Sequence, residues 1–227
     1  MEDYNFNGIE RKRMNLAMIP ATIFVALVWL MFIIDHTALF GKGLSKLGIM
    51  PGDYNGLVGI FFSPFLHSSF SHLWSNTLPL LILIWLLFYF YRNIALPTFI
   101  YLWIISGFFT WLIGRDSYHI GASGLVFALL FFIFFSGILR RYIPLISVSL
   151  VVAFIYGSTI WSMFPFAELV DITISWEGHL SGAISGLIVA LIFRKQGPQR
   201  PVNIWVDDEE SDDEEGETEV SESEELP

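Results

Sequence analysis

The sequence predicts an all-α membrane protein, a bundle of six transmembrane helices with a membrane-surface segment between helices 1 and 2. Three observations predict it. Of 227 residues, 54% are hydrophobic and 17% aromatic, too apolar for a soluble domain of that length. Six apolar stretches recur, each near the ~20 residues that cross a bilayer. Lys and Arg also fall at alternate ends of those stretches, as membrane insertion favours.

In chain order, Glu10-Arg11-Lys12-Arg13 precedes the first apolar stretch, residues 14–34. The basic cluster predicts a cytoplasmic N-terminus, and no small-residue cleavage site follows, so the first helix is expected to stay. Residues 35–55 mix Gly and polar side chains with Leu44, Leu47, Ile49 and Met50. That mixture is too long for a simple loop and predicts a segment folded at the membrane surface. The next stretches are 70–91, closed by Arg92-Asn93; 96–113; 122–139, before Arg140-Arg141; 142–163; and 178–193, before Arg194-Lys195. The last is on the short side.

Six spans put both termini on one side. With a cytoplasmic N-terminus, Arg11, Lys12, Arg13, Arg92, Arg140, Arg141, Arg194, Lys195 and Arg200 are inside, and only Lys42, Lys46 and Arg115 outside. This bias predicts a multi-pass protein of the cell (inner) membrane. The expected organisation is a cytoplasmic segment 1–13, a membrane domain 14–195 and a tail 196–227. Of the 22 acidic residues, 13 lie after Val206, so the formal charge of −10 belongs to the tail. Lacking aromatics after Trp205, that tail is expected to be disordered and cytoplasmic. There is no cysteine, which excludes disulfides, thiolate nucleophiles and cysteine metal sites.

Chemistry-bearing residues gather at the outer ends of the even-numbered spans. Gly121-Ala122-Ser123-Gly124 stands where the polar loop 114–119 meets an apolar run. A serine in the first turn of a helix lies among N–H groups without intrahelical partners, where the dipole favours developing negative charge. The same motif also reads as a cap with glycines for close packing. Counted from Arg140, Arg194 and Arg92, residues Ser123, His179 and His72 stand about 26, 22 and 30 Å up their helices, a spread that tilt absorbs. His72 and Asn76 share a helix face, and intramembrane His and Asn are costly unless they face the interior. Gly182 and Gly186 give the sixth span a smooth face for a neighbour. Together these residues read as a nucleophile, Ser123, a general base, His179, and oxyanion donors, His72 and Asn76. Glu177 is sequence-adjacent to Gly178-His179 but points elsewhere on a helix, so a dyad is the simpler arrangement.

Competing readings are weaker. His67 and His72 are about 140° apart on a helix, and no Asp or Glu lies between Asp53 and Asp116, so neither a metal nor another cofactor is implied. His36 and His119 fall at loop positions and read as solvated. A transporter would show intramembrane charge or paired broken helices. A non-catalytic membrane adaptor is the other alternative, and it would be expected to lack Ser123 or His179.

These motifs, His67-x4-His72-x3-Asn76, Gly121-Ala122-Ser123-Gly124, and Gly178-His179 with Gly182-x3-Gly186, resemble those of the rhomboid family of intramembrane serine proteases. The resemblance spans about residues 14–195. It implies a rhomboid-like bundle in which Ser123 is the nucleophile and His179 its base. His72, Asn76 and the Ser123 N–H would bind the oxyanion beside Gly121, and His67 would shape the cavity. The implied partners are the lipid bilayer and proteins with transmembrane segments, not nucleic acid, with the site opening to the outer face. No oligomeric state is implied. Two positions depart from the pattern. Leu57-Val58-Gly59-Ile60 stands where many bacterial members have Trp-Arg, and Phe127 stands where Tyr often stacks on the histidine.

Overall fold

The computed structural model describes residues 2–37, 43–166 and 175–201. The helices are α1 (Glu2–His36), α2 (Gly59–Phe62), α3 (Phe70–Phe90), α4 (Ala95–Ile113), α5 (Ser123–Arg140), α6 (Ile143–Tyr156) and α7 (Trp176–Ile192). Four 3-10 segments join them, at Gly43–Leu47, Tyr54–Val58, Ser63–Phe65 and Gly157–Met163. Among the described residues, five apolar spans are long enough to cross a bilayer: Gly8–His36, α3, α4, α5 and Ile143–Met163. The sixth, α7, is apolar and 17 residues long, about 26 Å. The protein is therefore an all-α helical membrane bundle.

Each expected span is a helix, with two differences. The first runs from Glu2, so the basic cluster continues α1 and His36 closes its last turn. The fifth leaves α-helical geometry at Gly157 and finishes as a 3-10 segment, where Gly-Ser-Thr replaces strong helix formers. The tail beyond residue 201 lies outside the described residues.

Helix α5 is the centre of the bundle. It packs most extensively on α7, with α6, α3 and α4 around it, while α1 lies against α3. Its sequence is apolar on every side, as a fully surrounded helix requires, and Leu129, Phe132 and Ile133 are fully buried. In lipid the contact between helices rests on close van der Waals packing and hydrogen bonds, and α7 supplies the room for it. A Cβ on Gly182 would run into the Gly124 carbonyl, and one on Gly186 would stand 2.6 Å from the Ala128 carbonyl oxygen.

At the C-terminal end of this pair, Arg140 is buried. Its guanidinium donates to Ser136 Oγ at 2.8 Å and to the carbonyls of Phe193 (2.9 Å), Arg194 (3.2 Å), Gln196 (2.5 Å) and Pro198 (3.3 Å). These carbonyls belong to the chain reversal after α7, and the cation that satisfies them also stands near the negative dipole end of that helix. Arg140, the basic residue that closes its span, thus points inward as a clamp.

The segment before α3 is ordered by α4 and by the loop ahead of α5. Ile49 and His119 exchange two backbone hydrogen bonds, of 3.0 and 2.8 Å. Trp103 Nε1 donates to the Ile60 carbonyl at 2.8 Å, and Trp111 Nε1 to the Asp53 carbonyl at 2.8 Å. The stretch lacking Trp-Arg is thus held by a tryptophan from α4.

Candidate active site

One cavity of about 790 Å³ is lined by Ser123, His179, His72, Asn76, Phe127 and His119, among others. The helices bring to one place residues that the chain separates by more than a hundred positions. Ser123 is the first residue of α5, after Ala122, and its hydroxyl is not used as the cap. Its backbone N–H belongs to the first turn and has no intrahelical acceptor.

His179 stands in the first turn of α7, whose N-cap Ser175 accepts from the Gly178 N–H at 3.2 Å. Its Nδ1 lies 2.9 Å from the Ser162 carbonyl. A carbonyl only accepts, so Nδ1 carries the proton and Nε2 is left with a free lone pair. The Phe127 ring stacks on the imidazole at 4.5 Å between centroids and 7° between planes. The ring is therefore fixed in tautomer by a backbone oxygen and in orientation by a phenyl face.

His72 is half-buried in the first turn of α3, behind the N-cap Ser69. A Cβ on Gly121, which has φ +112°, would stand 2.6 Å from His72 Nε2. Only glycine offers both that backbone conformation and that space. The imidazole thus lies directly over the turn leading into Ser123.

Asn76 is buried and donates to the His72 carbonyl at 2.9 Å, with His67 Nε2 at 3.4 Å. Both amide hydrogens are engaged, so donation to a bound group would require one to turn. His67 is buried under this pair, its ring 4.9 Å from that of His72. Burial, then the charge of a protonated His72, pushes the His67 pKa down to about 3, so it acts as a neutral support. Gly182 and Gly186 do not line the cavity; they set the α5–α7 approach behind it.

Two histidines depart from expectation. His119 is buried rather than solvated, because its backbone pairs with Ile49 and its ring bonds Ser175 Oγ at 2.6 Å and the Arg115 carbonyl at 3.1 Å. His36 is half-buried, stacked on Phe32 at 3.9 Å. Glu177 is buried away from the cavity, 3.7 Å from Arg115 Nε. Among the described residues, no group of three or more His, Cys, Asp or Glu is placed to hold a metal ion. Ser162 and Ser175 carry no signal in the sequence, since a hydroxyl residue in a polar connection does not stand out until its partner is known.

A family model described as the Rhomboid domain matches residues 54–196. The chain is 38% identical over 187 residues to an uncharacterised protein of Mycobacterium tuberculosis, covering 78% of this chain and 74% of the relative. An uncharacterised protein of Mycobacterium bovis matches to the same extent. One of Mycobacterium leprae is 35% identical over 201 residues, covering 84% of this chain and 76% of its own.

Proposed function

The chain belongs to the rhomboid family, and from that premise we propose that it is an intramembrane serine endopeptidase acting through a Ser123–His179 dyad. The observation that carries the reading is His179 itself. Its Nδ1–H is held by the Ser162 carbonyl and its ring by Phe127, so the lone pair of Nε2 is left for the cavity that also contains Ser123.

In this mechanism Ser123 Oγ attacks the scissile carbonyl while His179 Nε2 takes the hydroxyl proton. The tetrahedral oxyanion forms beside the Ser123 N–H, at the positive end of α5, with His72 as a side-chain donor and Asn76 joining it once an amide hydrogen is released. The imidazolium then gives its proton to the leaving amine, the C–N bond breaks, and an acyl-serine remains. Water, deprotonated by His179, attacks the acyl carbon and frees Ser123. The Ser162 carbonyl stabilises the imidazolium without a carboxylate.

Substrates are membrane proteins presenting a transmembrane segment to the bundle from the bilayer. The charge bias supports both termini, with segment 1–13 and the acidic tail 196–227, on the cytoplasmic side and the cavity opening to the outer face. The test is to incubate purified protein with a panel of single-span substrates and with a fluorophosphonate. Wild type is expected to cleave at least one substrate and to label on Ser123, and Ser123→Ala to do neither. Cleavage retained in Ser123→Ala would overturn the assignment.

A further inference from the structure

His119 is buried, its neutral ring sits on the cavity wall, and the proposed chemistry gives it no task. Its hydrogen bonds have a defined polarity. The Arg115 carbonyl, 3.1 Å from Nε2, can only accept, so Nε2 carries the proton and Nδ1 is an acceptor. The Ser175 hydroxyl, 2.6 Å away, therefore donates to Nδ1, while its oxygen accepts from the Gly178 N–H. Burial lowers the His119 pKa, which keeps Nδ1 available as an acceptor.

The placement of this bond matters more than its strength. His119 precedes Ser123 by four residues, and Ser175 precedes His179 by four. The interval from Ser175 to His179 is a helical turn, with the His179 N–H on the Ser175 carbonyl at 3.2 Å. The interval from His119 to Ser123 is braced by the bridge to Ile49 and by Gly121 N–H on the Ser63 carbonyl at 2.9 Å. This hydrogen bond, beside the Arg115–Glu177 ion pair, thus joins the approaches to α5 and α7, and it does so at the same offset from both members of the dyad.

We propose that His119 is a positioning residue: by accepting from the Ser175 hydroxyl that caps α7, it sets the reach of His179 towards Ser123. This rests on the protease reading and names a residue that tunes it. Loss of the tie lets the first turns of α5 and α7 slide against each other, and a misplacement of about 1 Å costs about a hundredfold in rate.

The experiment compares wild type with His119→Ala, Ser175→Ala, the double variant and His119→Asn, whose side-chain oxygen restores an acceptor near the Nδ1 position. Both alanine variants are expected to slow fluorophosphonate labelling and kcat by about tenfold to a hundredfold, with KM within about twofold. The double variant is expected to be no slower than the worse single one, and His119→Asn to recover most of the rate. The His179 ring ¹⁵N resonances are read in parallel. They should shift alike in both alanine variants and return in His119→Asn. Unchanged His179 resonances in both alanine variants, or rate losses that multiply in the double variant, overturn the inference. Resonances that shift alike in both alanine variants, with a wild type that neither labels nor cleaves, would support the tie and overturn only the protease reading.

Discussion

At its Arg140 end the α5–α7 pair is tied by one buried guanidinium, which donates four hydrogen bonds to the carbonyls of Phe193, Arg194, Gln196 and Pro198 and a fifth to Ser136 on its own helix. At its Ser123 end the same pair opens into a cavity of about 790 Å³ where the imidazole Nε2 of His179 and the first N–H groups of α5 are uncommitted. Between the ends, Gly182 and Gly186 hold the two backbones together. The difference separates two uses of polar groups in lipid. A satisfied network fixes a structure, while an unsatisfied one beside water is poised to bind something whose charge is still developing. Variants at the two ends should therefore fail in different observables.

The largest effect is expected at the open end. Ser123→Ala and His179→Ala should each reduce kcat by about a millionfold, and the double variant should be no worse, because the pair acts as a unit. Unfolding in detergent should change little in Ser123→Ala, since that hydroxyl caps nothing, and more in His179→Ala, which also loses the Ser162 hydrogen bond and the Phe127 stack. Multiplicative losses would break the dyad model.

The reverse is expected at the closed end. Arg140→Met removes the donor to Ser136 and four carbonyls, and a buried polar group left unpaired costs about 1–3 kcal/mol. Partial rewetting of so many groups still leaves an expected loss of about 3 kcal/mol or more, measurable as unfolding free energy in detergent. The folded fraction should keep its fluorophosphonate labelling rate. A stable Arg140→Met with slow labelling would mean that the two ends are coupled through α5.

His72→Ala comes next, with an expected loss of about a hundredfold to a thousandfold in kcat if the imidazole is an oxyanion donor. Asn76→Ala is expected to be harder to interpret in kcat alone, because its amide also supports His67 and the His72 carbonyl. Comparing their unfolding free energies separates the roles: His72→Ala should be close to wild type and Asn76→Ala less stable. Loss of less than about tenfold in both would make them packing groups.

The bundle was legible because a bilayer leaves the sequence little freedom: every span must be apolar for about 20 residues and must pair its own backbone. The candidate site was legible for a related reason, since Ser123, His72, Asn76 and His179 are conspicuous inside such spans. Positions whose role depends on a distant partner were not. His119 looked like a loop residue because Ile49 and Ser175, which bury and bond it, lie far away in the chain. The clamping role of Arg140 was hidden because the carbonyls it serves belong to residues 193–198. Likewise, the backbone oxygen that sets the His179 tautomer has no side-chain signature.

The smallest effect is expected at Phe127, and it measures how tightly the open end is held. Its ring lies parallel to the His179 imidazole at 4.5 Å, a contact of the kind worth about 0.5–1.5 kcal/mol beyond burial. If stacking orients the base only as Nε2 comes into use, Phe127→Leu should lower kcat by about twofold to tenfold with KM unchanged. Phe127→Tyr keeps the face and should stay within about twofold of wild type, the added hydroxyl pointing past the imidazole into the cavity. Phe127 is also buried where α5 meets α7, so Phe127→Leu should lower stability by about 1 kcal/mol. If Phe127→Leu is as fast as wild type, the Ser162 carbonyl alone orients His179. The orientation of the base would then rely on that one hydrogen bond, where the closed end uses four to the carbonyls after α7.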